Sequence, residues 1–228
     1  MSDGLGYVME RAQQTEVGRP VEVKVGPIVL HGLFGLPEPR GVVVFAHRSG
    51  KGRLNPRNVA AARSLQEAGL ATFMIDLLRS EEAEVVHNIF DIKLLADRLL
   101  AATEWAAQQP ETKGLRIGYL GTSTAVAAML QAAARSPDAV ASVVSRGGRP
   151  DLAKTFLPKV KAPTLLIVGE NDPSAIEQNQ KAYQQLVCPK EMIIVPGASH
   201  LFDEPGTFDQ VAVQARAWFL RHLVQESV

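Results

Sequence analysis

The sequence predicts an α/β fold: a doubly wound, mostly parallel sheet with an antiparallel amino-terminal edge. Three observations predict it. Short runs, nearly continuous in apolar residues, recur between residues 42 and 195, as expected of strands covered on both faces. Between them lie segments with apolar residues at helical spacing. Ahead of both stands a stretch, 21–25, that alternates apolar and charged residues, the pattern of a strand with one wet face.

The elements follow in order. After a polar lead-in, 1–19, come "VEVKV" and, past Gly26, "PIVLHGLFGL", a pair that suggests an antiparallel hairpin at a sheet edge. "VVVFAH", "LATFMID", "LRIGYLG", "AVASVVS", "PTLLIVG" and "EMIIVPG" supply the remaining strands. Helices are expected over 58–68, 88–108, 123–134, 174–186 and 208–223. In the second, Ile92, Leu95, Leu99, Ala102 and Ala106 recur every three or four residues, which marks one buried face. Gly69 follows the first helix and Pro205 precedes the last, where helices stop and start. Strand and helix alternate throughout, so the sheet is wound on both faces. No repeat, low-complexity tract or long linker divides the 228 residues, and one domain over 1–228 with a substantial core is expected.

Composition narrows the function. Lys plus Arg and Asp plus Glu both total 24, and the pI is near 7.0, so no global field attracts nucleic acid or an anionic bilayer. Cys188 is the only cysteine; it permits no internal disulfide, fits a reducing compartment and reads as a small buried hydrophobe. The first residues lack a secretory pattern and no apolar run reaches membrane-spanning length. A cytoplasmic protein is expected, without nucleic-acid or membrane partners; a homodimer stays open.

In open α/β sheets ligands bind beyond the carboxyl ends of the strands. His47, Arg48 and Ser49 fall there, as do Asp76, Arg79, Ser123, Arg146, Arg149, Asp172 and His200. Ser123 sits in "GTSTA", between an apolar run and a helical segment. A sharp strand-to-helix turn needs small residues around its apex, here Gly121 and Ala125, and it lifts the hydroxyl above the sheet at the positive end of a helix. The same serine could simply cap that helix. A hydroxyl becomes an effective nucleophile when an imidazole takes its proton and a carboxylate supports the imidazole. Asp172 and His200 follow in that order, each just past a later strand. Singly, Asp172 before Pro173 suits a helix cap and His200 an ordinary loop; together with Ser123 they suit a triad. The backbone N–H groups of Thr124 and Ser49 would form the oxyanion hole, and His47 would be a structural residue of its loop. This chemistry requires no cofactor.

"VVVFAHRSG", "GYLGTSTA", "LLIVGEND" and "VPGASHLF", in that order over 42–223, resemble the serine α/β-hydrolases, with a layout similar to bacterial esterases related to dienelactone hydrolase. The resemblance implies an α/β-hydrolase fold and ester cleavage. Dienelactone hydrolases proper carry cysteine where this chain has Ser123, relatives usually read His-Gly where it has His47-Arg48, and Ala125 replaces the usual second glycine of the turn. Only "RGGRPDLAKTFLPKVKAP" lies between two of the strands, too little for a large lid, so a small soluble ester is the expected substrate. The charged segment "LLRSEEAEVVHNIF" could form a modest flap. Arg48, Arg79 and Arg146 are candidate substrate-binding residues, since guanidinium forks suit a carboxylate or phosphate; alternatively each, like Arg149, pairs with nearby acids such as Glu81, Glu82 or Asp151. Lactone hydrolase, thioesterase and acyltransferase share the same acyl-enzyme, and a ligand-binding module on a hydrolase fold is the non-enzymatic alternative. "SGKGRLNP" lacks phosphate-loop spacing, and His31, His47, His87, His200 and His222 form no ligand pair at helical spacing, so neither nucleotide nor metal is expected.

Overall fold

The hairpin forms the sheet edge: β1 (Arg19–Val25) pairs antiparallel with β2 (Ile28–Gly35), with Val23 opposite Leu30. The structure, a computed structural model, describes residues 17–47 and 52–225. Six further strands follow: β3 (Val42–His47), β4 (Ala71–Asp76), β5 (Ile117–Ser123), β6 (Ser142–Gly148), β7 (Thr164–Gly169) and β8 (Lys190–Val195). They join one sheet in the order β1-β2-β4-β3-β5-β6-β7-β8. Only β2 runs against its neighbours among these strands.

Both faces of the central strands are covered, which explains their uninterrupted apolar sequences. Along β3, Val42, Val44 and Ala46 enter one core while Val43 and Phe45 enter the other. The first core is closed by α4 (Ile92–Gln108), α5 (Ala125–Arg135), a 3₁₀ segment (Pro150–Lys159) and α6 (Pro173–Gln185); the second by α1 (Pro56–Glu67) and α7 (Thr207–Leu223). The chain leaves β3 toward β4 and leaves β5 toward β6. The strand order therefore reverses between β3 and β5, and the carboxyl ends of those strands open a crevice. No helix among the described residues is long and apolar enough to cross a membrane.

Two boundaries differ from the sequence expectation. The helix expected over 88–108 is broken at Asp91, whose carboxylate accepts the Leu94 N–H at 2.9 Å and starts α4 afresh. Ser123 closes β5 rather than opening the following helix, which begins at Ala125.

The charged segment after β4 forms two short helices, α2 (Ser80–Ala83) and α3 (Val86–Phe90), with Val85, Val86 and Phe90 exposed. One ion pair ties it down. Both carboxylate oxygens of Glu82 accept N–H groups of Arg98 at 2.8 Å, and Arg98 also donates to the Leu77 carbonyl. These bonds hold the Glu82 carboxyl at about 2, against an ordinary 4.5. A folded-state value below the unfolded one stabilises above the unfolded pKa and loses that contribution as pH falls through the folded value. Glu82→Gln is expected to cost roughly 2–3 kcal/mol at neutral pH, with the gap from wild type closing between pH 4.5 and 2; urea denaturation across that window checks it.

Candidate active site

The turn at Ser123 is as tight as its small residues require. A Cβ on Gly121 would lie 2.4 Å from Met129 Sδ of α5, so helix and strand meet closely there. Ser123 has a φ of 53°, a left-handed conformation that costs an L-residue about 1–2 kcal/mol. The pairing of β5 with β6 shifts between Thr122 and Ser123, bringing Ser123 opposite Gly148, and the Ser123 carbonyl accepts the Arg149 N–H at 3.0 Å. Lys154 and Phe202 also have positive φ, but Ser123 combines the strain with a place at the strand-order reversal, which makes it the candidate functional position.

Asp172 caps α6: its Oδ1 accepts the Ala175 N–H at 3.0 Å, with Pro173 in the first turn. Its Oδ2 meets His200 Nδ1 at 2.6 Å. The cap and the imidazole partner, posed by the sequence as alternatives, are two oxygens of one carboxylate. His200 rides on a loop after β8 that is bonded to its surroundings. Asn171 N–H donates to the Ala198 carbonyl, Gly197 N–H to Glu170 and Ser199 N–H to Glu204. Gly169 lets this loop approach, since a Cβ there would sit 2.4 Å from the Ala198 carbonyl oxygen. From the opposite side, Arg57 of α1 donates to the Leu201 carbonyl and pairs with Asp203.

Ser123, Asp172 and His200 line one cavity of about 330 Å³, together with Gly148 and Arg149. Ser123 and His200 also border a second, of about 440 Å³, with His47, Asn58, Arg146 and Phe202. Thr124, buried at the amino end of α5, follows the serine as an oxyanion donor must. Ser49 and Arg48 lie outside the described residues.

The arginines separate by their partners. Arg79 is not brought to Ser123: it pairs with Glu81 and Glu82 and lines a different cavity with His31, Arg53 and Asp76. Arg149 forms a two-pronged pair with Asp151, both bonds 2.8 Å. Arg146 borders the serine and forms no ion pair with a described carboxylate. Its Nη2 donates to Asn58 Oδ1 at 3.1 Å, and its guanidinium stacks 5.2 Å from the Phe208 ring centre. His47 is buried beside it, and burial and the Arg146 charge push its pKa down to about 3, so it is neutral. Asn58, Arg57 and Phe208 were not singled out from the sequence. Among the described residues no group of three His, Cys, Asp or Glu could hold a metal ion.

The dienelactone hydrolase family matches residues 30–222. A dienelactone hydrolase from Anabaena variabilis is 50% identical with a TM-score of 0.84, the match covering 90% of this chain and 97% of that one. Est1E from Butyrivibrio proteoclasticus, 16% identical with a TM-score of 0.74 over 89% of this chain and 98% of that one, shares the fold. Two putative phosphoribosyl transferases of Mycobacterium tuberculosis are 50% identical over 89% of this chain but only 46% of their own length. The chain spans about half the length of these relatives.

The backbone strain and the double use of Asp172 each have a stability signature. Ser123→Gly is expected to exceed Ser123→Ala in stability by about 1 kcal/mol, because glycine accepts the left-handed turn. Asp172→Asn keeps a good cap, whereas Asp172→Ala is expected to lose about 1 kcal/mol relative to it. Urea denaturation of the four variants reads both differences, and equal midpoints within either pair contradict the assignment.

Proposed function

The chain belongs to the dienelactone hydrolase family, and from that premise we propose that it is a serine hydrolase cleaving small soluble carboxylic esters through an acyl-enzyme on Ser123. The observation that carries the reading is the 2.6 Å contact between His200 and Asp172, in a cavity whose wall includes the strained Ser123. With Nδ1 of His200 donating to Asp172, Nε2 is the nitrogen that takes the proton from Ser123. The seryl oxygen bonds to the ester carbonyl carbon, and the carbonyl oxygen gains the negative charge. The backbone N–H of Thr124, at the amino end of α5, holds that charge with a second donor, which the sequence assigns to Ser49. The carbonyl re-forms, the bond to the alcohol breaks, and His200 returns its proton to the departing alcohol. Water, deprotonated by the same nitrogen, then attacks the acyl carbon and frees the acid and Ser123.

The 50% identity to a dienelactone hydrolase supports an ester or lactone as the bond that is cut. Thioester cleavage and acyl transfer would use the same acyl-enzyme. The transferase name of the mycobacterial relatives describes proteins about twice as long, and the hydroxyl, imidazole and carboxylate arrangement supports hydrolysis for the part matched here. A cytoplasmic location goes with this reading.

A fluorophosphonate is expected to label Ser123, and Ser123→Ala to abolish both labelling and turnover of p-nitrophenyl acetate. Asp172→Asn is expected to lower kcat about a thousandfold to ten-thousandfold with the fold intact. Full activity in Ser123→Ala would refute the nucleophile assignment.

A further inference from the structure

Ser123 and His200 form a wall common to two cavities, of which Asp172 lines only the smaller. The larger, about 440 Å³, has Arg57 and Arg146 in its wall and no carboxylate among the described residues that line it. Arg57 in its wall is balanced by Asp203, but Arg146 forms no ion pair with any described residue. Burial and the neighbouring Arg57 pull the Arg146 pKa down to about 10, the direction expected of a cation short of counter-charge. Among the described residues its five donors make one hydrogen bond, to Asn58 Oδ1. That bond is itself fixed: the Asn58 amide nitrogen donates to the Gly52 carbonyl at 2.8 Å, which turns the amide oxygen toward Arg146. Phe208 stacks against the guanidinium and restrains it further. In the same wall His47, 8% exposed, leaves Nε2 buried without a hydrogen-bond partner.

Leaving a cation and a ring nitrogen unanswered under so much protein is costly, and an oxyanion would answer both, accepting from Arg146 and from neutral His47 in the tautomer that carries its proton on Nε2. We infer that Arg146, steadied by Asn58 and Phe208 and joined by His47, forms a subsite for a carboxylate or phosphate group of the substrate, in the cavity beside Ser123. Arg149 does not compete for this role, because Asp151 occupies its fork. Nor does Arg79, which faces another cavity. The inference rests on the serine hydrolase reading for the word substrate, but the anion site itself can be tested without turnover.

Calorimetric titration with succinate, inorganic phosphate and neutral succinamide is the first arm. Wild type is expected to bind succinate or phosphate but not succinamide, and Arg146→Met to bind none of them. Which anion binds distinguishes carboxylate from phosphate. The second arm compares kcat/KM for mono-p-nitrophenyl succinate and p-nitrophenyl butyrate. The anionic-to-neutral ratio is expected to fall about tenfold to hundredfold in Arg146→Met. If that variant does not fold, competition in wild type decides: succinate or phosphate should raise KM for the anionic ester, and succinamide should not. No anion binding by wild type, or a ratio unchanged in a folded Arg146→Met, overturns the subsite. Absence of turnover and of fluorophosphonate labelling, with anion binding that depends on Arg146, overturns the serine hydrolase reading and leaves the subsite standing.

Discussion

Asp172 divides one carboxylate between a helix and an imidazole, and the geometry of the site follows from that division. Oδ1 starts α6 by accepting the Ala175 N–H, and Oδ2 holds His200 Nδ1. The helix begun in this way carries Asn179, fully buried, whose amide donates to the Gly148 carbonyl at 3.1 Å and to its own helix at Ala175. Gly148 in turn is the register partner of Ser123. An unbroken path of hydrogen bonds and strand pairing therefore runs from the imidazole through Asp172, α6 and Gly148 to the serine backbone. The helix capped by Asp172 thus links the positions of His200 and Ser123, and the cap and the imidazole contact cannot be separated structurally.

The rest of the loop bearing His200 is tied from two directions. The end of β7 receives it through Glu170 and Asn171, and α1, on the far face of the sheet, receives it through Arg57. Elements from both cores thus converge on one short loop, which accounts for how an exposed histidine keeps a short contact with a mostly buried carboxylate. For the proposed proton transfer, such preorganisation would spare reorganisation at the moment of reaction. It also makes α1 part of the site although none of Ser123, Asp172 and His200 lies on it.

The sheet was legible in the sequence because strands buried on both faces must be apolar throughout, and those runs stand out against the helical spacing between them. Ser123 was legible because Gly121 and Ala125 permit an approach that larger residues would block. The break at Asp91 was harder to see, since apolar periodicity continues across it and only the side-chain cap interrupts the backbone. The double role of Asp172 was hidden for a different reason: sequence assigns a residue one environment at a time, whereas a carboxylate has two oxygens. The arginines were all placed at the catalytic edge but their partners were not. In retrospect the local acids sort them: Arg149 has Asp151 two residues on, Arg79 has Glu81 and Glu82, and Arg146 is followed by no acid so close. Asn58 and Phe208, which steady Arg146, come from helices distant in sequence, and no local pattern announces them.

Two local rules are broken within this crevice, and both departures meet at the same cavity. Ser123 adopts a backbone conformation that its side chain disfavours, and Arg146 lies largely covered without a carboxylate partner. Phe202, with a φ of 55°, borders the same cavity, and Lys154, at 46°, lies away from it in the 3₁₀ segment; among the arginines, Arg98 is closed on Glu82, Arg149 on Asp151, and Arg135 on Asp97. Ser123 and Arg146 nonetheless border one cavity. They do share an electrostatic consequence. Under the proposed hydrolysis, the strained turn sets Ser123 beside a cavity that already carries the Arg146 charge, so negative charge developing there, on the tetrahedral oxygen or on an anionic group of an ester, would enter a field the fold has prepared in advance.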